Sequence, residues 1–397
     1  MDALASENFF VIFIETKRAV YGGQKQLLAR CGEFDRRGIP YAVIHPFCTS
    51  LFVAEYAALD LQGDLIRPSP RSGGRLASDN ALSKVGRSVF ILRTLAQLIR
   101  QRRGRVVIHS DAFDSAYLVS IASRVPGVMP DRVVKVFSVN SDRYRFFSRL
   151  DQTLLPAQDR LCTNSEFSRA QLRRHEWLSA FDISVCYSAI DFDALDAVLR
   201  RVPPGTAGRP DKVSIGYIGS FDRRKQLDQF ARCAIAALQA IGSRFELEFT
   251  VFGDAKDADQ AAFAEEVKRD IASSGFGAQI TFAGYCVPEE VVSRVDALLC
   301  PFRFEPFGRV VPEFLYLGLD VFVIRDGGLT EAGCGFAREL DALEGLALER
   351  QFVAALSEWL VEPPHSTQAL ADRREKLRAA FGSAAIVDRE LQSYVKR

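Results

Sequence analysis

Glu305-Pro306-Phe307-Gly308-Arg309-Val310-Val311-Pro312-Glu313 sets two carboxylates eight residues apart with a glycine between them. The apolar run Val295–Phe302 before it reads as a buried strand, and Val321–Ile324 after it reads as another. Phe314–Leu317 continues as a short apolar helix, closed by Gly318. The order is strand, acid-bearing loop, helix start, strand. Ligands of doubly wound sheets bind outside the carboxyl ends of the strands, and Glu305 falls there. The helix is expected to start near Gly308 to Val310, with Pro312 tolerated in its first turn. The N–H groups of Phe307, Gly308 and Arg309 then point out of the helix tip, where phosphate or sugar oxygens are held. Glu313, one turn in, can accept two hydrogen bonds from a vicinal diol such as a ribose. An acid near a helix N-terminus is also favoured by the dipole alone, so Glu313 by itself leaves both readings open.

Working outward, strand-like and helix-like runs alternate from end to end, which predicts an α/β fold with mainly parallel sheets. In the first half, strands are expected at Phe9–Ile14, Tyr41–His45, Val106–His109, Val133–Val139, Leu161–Thr163 and Ile183–Tyr187. The segment Arg201–Pro210 is rich in Pro and Gly and reads as a linker. The alternation then restarts at Val213–Ile218, Leu247–Phe252, Ile280–Ala283, Ala297–Cys300 and Val321–Ile324. A chain of 397 residues exceeds one core of usual size, so two domains are expected, 1–200 and 211–375.

The net charge of +1 gives no reason to expect a nucleic-acid partner. No apolar window is long enough to span a bilayer. Residues 1–8 lack a basic and an apolar region, so no secretory signal is read and a cytoplasmic location is expected. The eight cysteines show no CxxC spacing and read as buried thiols in a reducing compartment. The four histidines are scattered, so no metal is expected.

Three further features carry chemistry. Gly22-Gly23 follows a strand and precedes the helix pattern Gln24–Arg37; it fits a close ligand approach or an ordinary turn. Arg223-Arg224-Lys225 crowds three cations between a strand and a helix, which an anion would relieve, or solvent would. His109 ends a strand and is either a ligand or a satisfied histidine, with Asp111 and Asp114 nearby.

Residues 67–105 hold ten Lys or Arg against one acid, Asp79, and Pro68–Gly74 reads as a floppy loop. The segment Ser83–Arg103 reads as a helix with a stripe of Val85, Val89, Leu92, Ala96 and Ile99, widened by Ile91, Leu95 and Leu98. That stripe is expected to face the core. The alternative is an interfacial helix whose basic rim meets anionic lipid through residues 83–105.

The Glu305–Glu313 stretch resembles the E-x7-E motif of glycosyltransferase family 4, a large retaining family. Other segments resemble the same family in the same order: Gly22-Gly23 with its helix, Asn164–Leu172, Tyr187–Asp191, Ile215–Lys225, Val251–Asp254 and Phe282–Tyr285. The likeness spans roughly residues 9–335 and is specific as a set. It implies the GT-B fold, two Rossmann-like domains facing each other across a cleft, with residues 376–397 packing back on the first.

The resemblance also implies a nucleotide-sugar co-substrate, bound mainly by the second domain, and a glycan, lipid-linked or small-molecule acceptor. The base would lie near Tyr285 and Val287, and Glu313 would hold the ribose. Lys225, with Arg223 or Arg224, would meet the diphosphate. Glu305, Phe307, Gly308 and Arg309 would hold the transferred sugar and phosphate oxygens, and Gly22 and Gly23 would close over the diphosphate. Two positions depart from the family pattern. Its arginine after the strand glycine is Ser220, and the histidine that lines its sugar pocket matches Asn140. Those departures keep two alternatives open: a non-catalytic GT-B partner in a glycan assembly complex, or a nucleotide-sugar epimerase.

Overall fold

The computed structural model describes residues 9–18, 22–69, 80–202 and 212–395. The expected linker and the Pro68–Gly74 loop lie largely outside these. The chain divides into two compact units, Met1–Ala189 with Phe381–Arg397, and Ile190–Ala380.

The first unit is built on a seven-stranded parallel sheet of order β3-β2-β1-β4-β5-β6-β7. Its strands are β1 (Phe9–Ile14), β2 (Tyr41–Ile44), β3 (Asp64–Ile66), β4 (Arg105–Ser110), β5 (Val133–Val139), β6 (Arg160–Thr163) and β7 (Ile183–Val185). The apolar runs predict this, because a strand covered on both faces has no polar side to alternate with. β1 is buried along its whole length. The second unit repeats the design with six parallel strands in the order β10-β9-β8-β11-β12-β13. These are β8 (Lys212–Ile218), β9 (Glu246–Phe252), β10 (Ile280–Gly284), β11 (Ala297–Cys300), β12 (Asp320–Ile324) and β13 (Arg338–Leu340). Both orders reverse direction beside their first strand, so each unit has a switch point, between β1 and β4 and between β8 and β11.

Several expectations are corrected. The edge strands β3 and β13 were not anticipated; each has only three residues, too short to show a period. The helix Phe192–Arg201, expected in the first domain, packs in the second unit against Val310–Leu317. The first helix begins at Gly22 rather than Gln24, so Gly22-Gly23 is its opening turn and not a loop. A Cβ at Gly23 would meet nothing within 4 Å, so packing does not require glycine there.

The helix Ala81–Gln101 buries Ile91, Leu95, Leu98 and Ile99. Val85 and Val89, expected in the core, are 60% and 47% exposed. The sheet takes the widening residues Ile91, Leu95 and Leu98 and the stripe's last member Ile99, and leaves the stripe's N-terminal members outward. Among the described residues no helix is long and apolar enough to cross a membrane.

The closing helix Ser383–Val395 lies in the first unit, against the helix Gly22–Arg36. It brings two polar side chains into the interior. Glu390 meets Arg30, whose other end binds Asp111, and Arg30 and Glu390 are each 1% exposed. Tyr394 Oη lies 2.6 Å from His109 Nδ1, and Ser138 Oγ lies 2.7 Å from His109 Nε2. His109 is therefore a satisfied core histidine. Burial pulls its pKa down to about 4, which keeps it neutral near pH 7.

Candidate nucleotide-sugar site

The loops after β8 and β11 carry the charged residues that the sequence singled out, and these strands flank the second unit's switch point. After β8, Ser220 and Phe221 lead into a tight turn, Arg223–Lys225. Asp222 caps it, accepting from Arg224 N at 2.9 Å. Gln226 follows in the left-handed region, at φ 48°. After β11, Phe304 is also left-handed, at φ 53°. Non-glycine residues cost about 1–3 kcal/mol each in sparsely populated backbone regions and cluster at functional sites. These two stand beside Lys225 and Glu305 respectively.

The loops are stitched together. Arg303 N donates to Arg224 O at 2.8 Å. Lys225 Nζ donates to Glu305 Oε2 at 2.7 Å and sits 4.1 Å from the centre of the Phe302 ring. Both side chains of the pair are 17% exposed, so the ion pair is partly shielded yet reachable. Lys225 is the cation of this run that pairs with Glu305. Arg224 pairs with Asp222 at 3.2 Å. Arg223 lies over Phe263 and near Glu266, and is largely exposed.

Glu305 is held by groups distant in sequence. Gly328 N donates to Glu305 O at 2.7 Å. A Cβ at Gly327, which has φ +72°, would stand 2.4 Å from the same oxygen. Asp326 accepts from Arg303 Nε at 2.6 Å and Phe304 N at 3.2 Å, which fixes the loop just before Glu305. Gly327→Ala is expected to destabilise the second unit by about 1–3 kcal/mol, from the backbone strain alone. An unchanged melting temperature would show that the loop yields without cost.

The helix Val310–Leu317 starts where expected, one residue past Arg309. Gly308 has φ +80°, a conformation that glycine takes without strain. Phe307 is buried. Arg309 reaches over one turn to Glu313, with Nη2 2.9 Å and Nε 3.2 Å from Oε1. Glu313 is thus anchored by one carboxyl oxygen. Tyr285 and Val287, past β10, are exposed, and Tyr285 N donates to Asp254 Oδ2 at 3.2 Å. Gly22, Gly23 and Asn140 belong to the first unit. Asp114 accepts from Thr16 Oγ1 at 3.1 Å in that unit.

Lys256, in the loop after β9, escaped the sequence reading. Burial lowers its pKa, as does the charge of Lys225, while Asp222 opposes them. A lysine that feels Lys225 adds to the positive field around the switch point. Its only sequence signal was a lone cation in Gly253-Asp254-Ala255-Lys256.

Residues 212–377 match the family described as Glycosyl transferases group 1. Both elements of the cluster lie inside that match. The chain is 22% identical over 366 residues to alpha-maltose-1-phosphate synthase of Mycolicibacterium smegmatis, covering 83% of this chain and 89% of the relative. A 118-residue stretch is 30% identical to an uncharacterized 42.6 kDa protein in the cps region of Klebsiella pneumoniae, covering 30% of this chain and 27% of that protein. The crystal structure of Anabaena HepE in complex with UDP superposes with a TM-score of 0.69 at 14% identity, covering 96% of this chain and 98% of that one. The fold is GT-B.

Proposed function

We propose that the protein is a retaining glycosyltransferase that moves a sugar from a nucleotide-sugar to a glycan, lipid-linked or small-molecule acceptor, in polysaccharide or glycoconjugate synthesis. One observation carries the reading: Lys225 and Glu305, 80 residues apart in sequence, meet at the second unit's switch point. Lys225, with Lys256 nearby, meets the diphosphate as charge builds on it. Glu305 orients the transferred sugar, and the Phe307 and Gly308 amides bind sugar or phosphate oxygens. Glu313 accepts from the ribose, and the base lies at Tyr285 and Val287.

Catalysis in this reading is electrostatic. Departure of the nucleotide leaves a sugar cation and a diphosphate with added negative charge, which preorganised cations and N–H groups stabilise. The leaving phosphate accepts the proton of the acceptor hydroxyl on the same face, so no protein base and no metal enter the scheme. The HepE structures with UDP and UDP-glucose make uridine nucleotides the first donors to try.

A turnover screen across nucleotide-sugars tests the proposal. Release of nucleoside diphosphate with any donor supports transfer. A changed sugar on an intact nucleotide would assign an epimerase. Binding without turnover, with every acceptor tried, would assign a non-catalytic partner. Glu313→Ala is expected to weaken nucleoside diphosphate binding about ten-fold or more, as the loss of a hydrogen bond to a charged group does. Unchanged affinity by calorimetry removes Glu313 from the ribose.

The proposal includes a peripheral contact with an anionic membrane through residues 83–105. Flotation with phosphatidylglycerol vesicles is expected at low salt and to weaken at high salt. Failure to float at low salt ends that part.

A further inference from the structure

The exposed face of Ala81–Gln101 is continuous. Exposed Leu82, Val85 and Val89 run on into half-buried Leu92 and Ala96 at helical spacing, beside the row of buried Ile91, Leu95, Leu98 and Ile99. At its C-terminal half this face forms one wall of a groove of about 560 Å³. The other wall comes from the helix Phe113–Ser123 and the turn after it, through Ile121 and Val125. Those two side chains are 46% and 50% exposed. The volume is that of a pocket for a small amphiphile, within the usual range of about 300–1,000 Å³.

Charge identifies the occupant. Residues 80–105 contain seven Lys or Arg and no Asp or Glu. Arg93 and Arg100, two turns apart, line the groove and are exposed. An aliphatic floor with a cationic lip complements an anionic amphiphile. A sugar fits poorly, because the walls offer its hydroxyls mainly aliphatic carbon, with Gln97 and Gln101 as the uncharged polar residues of the lining. A protein partner fits less well too. The stripe holds no aromatic residue or Met, the types that enrich protein interfaces beside Arg.

We propose that this groove binds a single anionic phospholipid, with one acyl chain along Leu92, Ala96, Ile121 and Val125 and the phosphate between Arg93 and Arg100. The inference rests on the membrane contact proposed above and adds to it a ligand site with its own walls. Loose adsorption would depend on charge alone. A groove that takes a chain depends on chain length as well.

The full-length protein would be titrated with lysophosphatidylglycerol of six, eight and ten carbons, each below its micelle concentration. Affinity is expected to rise roughly fifteen-fold per two methylenes while the groove fills, from about 0.8 kcal/mol per buried CH₂. Val125→Trp, at an exposed position, should lower affinity ten-fold or more with an unchanged melting temperature. R93Q/R100Q should abolish the preference over the phosphatidylcholine counterpart. Affinity independent of chain length, or a Val125→Trp variant that binds like wild type, overturns the groove. Flotation on vesicles without binding of the monomeric lipid also overturns it, and leaves the membrane contact standing. Absence of both removes the two together. Self-association of the chain that Val125→Trp relieves would give the face to a second copy and overturn the lipid assignment.

Discussion

Lys225→Ala is expected to lower kcat by about two orders of magnitude or more, the usual loss when one preorganised donor is removed from developing charge. The side chain has two anchors, Glu305 at 2.7 Å and the Phe302 ring at 4.1 Å. Both hold the ammonium in place before substrate arrives, so little reorganisation remains at the moment of bond cleavage. In the proposed mechanism, charge on the diphosphate grows from ground state to transition state. The loss should therefore fall on kcat more than on KM. Lys225→Arg keeps the charge but replaces a compact ammonium by a broad planar fork, and should recover only part of the rate. The substitution leaves Glu305 without its cation, so a melting curve must accompany the kinetics. A partly exposed pair is worth about 1 kcal/mol or less, and the fold should survive. Near-normal turnover of Lys225→Ala in a protein that turns over a donor would remove Lys225 from the phosphate.

Much of this architecture was legible because parallel strands buried on both faces write themselves as apolar runs. Phe9–Ile14, Val133–Val139 and Ala297–Cys300 stand where those runs predict. Asp64–Ile66 and Arg338–Leu340 did not announce themselves, being three-residue edges that each include a charge. The outward turn of Val85 and Val89 was hidden for a different reason. A stripe with widening residues beside it has a period but no sharp edge, and only the sheet decides which part is covered.

The site was legible along the chain and opaque across it. The spacing of Glu305 and Glu313 and the basic run ending at Lys225 could be read locally. The turn that separates Lys225 from Arg223 depends on Gln226 at positive φ, a conformation that the sequence does not advertise. Lys256, Asp326, Gly327 and Gly328 come from the loops after β9 and β12. Their part appears only once β8, β9, β11 and β12 lie side by side.

The second large effect is on stability. Arg30→Met should destabilise the first unit by about 3–5 kcal/mol, the cost of stranding a buried ion-pair partner. That corresponds to a fall in its melting temperature of about 6–20 °C. Arg30 sits between Asp111 and Glu390, and methionine fills much of the same space with no charge.

The loss has a pH signature. Burial pushes Glu390 from 4.5 up to about 7, although Arg30 pulls the other way. Desolvation prevails because Arg30 is shared with Asp111, and the second oxygen of Glu390 has no hydrogen-bond partner. An acid with a raised folded pKa gives stability that is complete below about 4.5 and is lost as pH rises through about 7. Glu15, also buried and raised to about 7, has the same sign. Wild-type stability should therefore decline across that window, by about 3 kcal/mol for each of these acids.

Glu390→Gln removes one of the two contributions and should flatten the decline. Without Arg30, an ionised Glu390 has lost a counter-charge, whereas a protonated one has lost only a hydrogen bond. Arg30→Met should accordingly cost more at pH 8 than at pH 5. Adding Glu390→Gln should recover part of the loss at pH 8 and little at pH 5, a coupling that a double-mutant cycle reads directly. Equal losses at both pH values would mean that Glu390 is already ionised at pH 5. The closing helix would then be fastened by a permanent ion pair, not by an acid poised near neutrality.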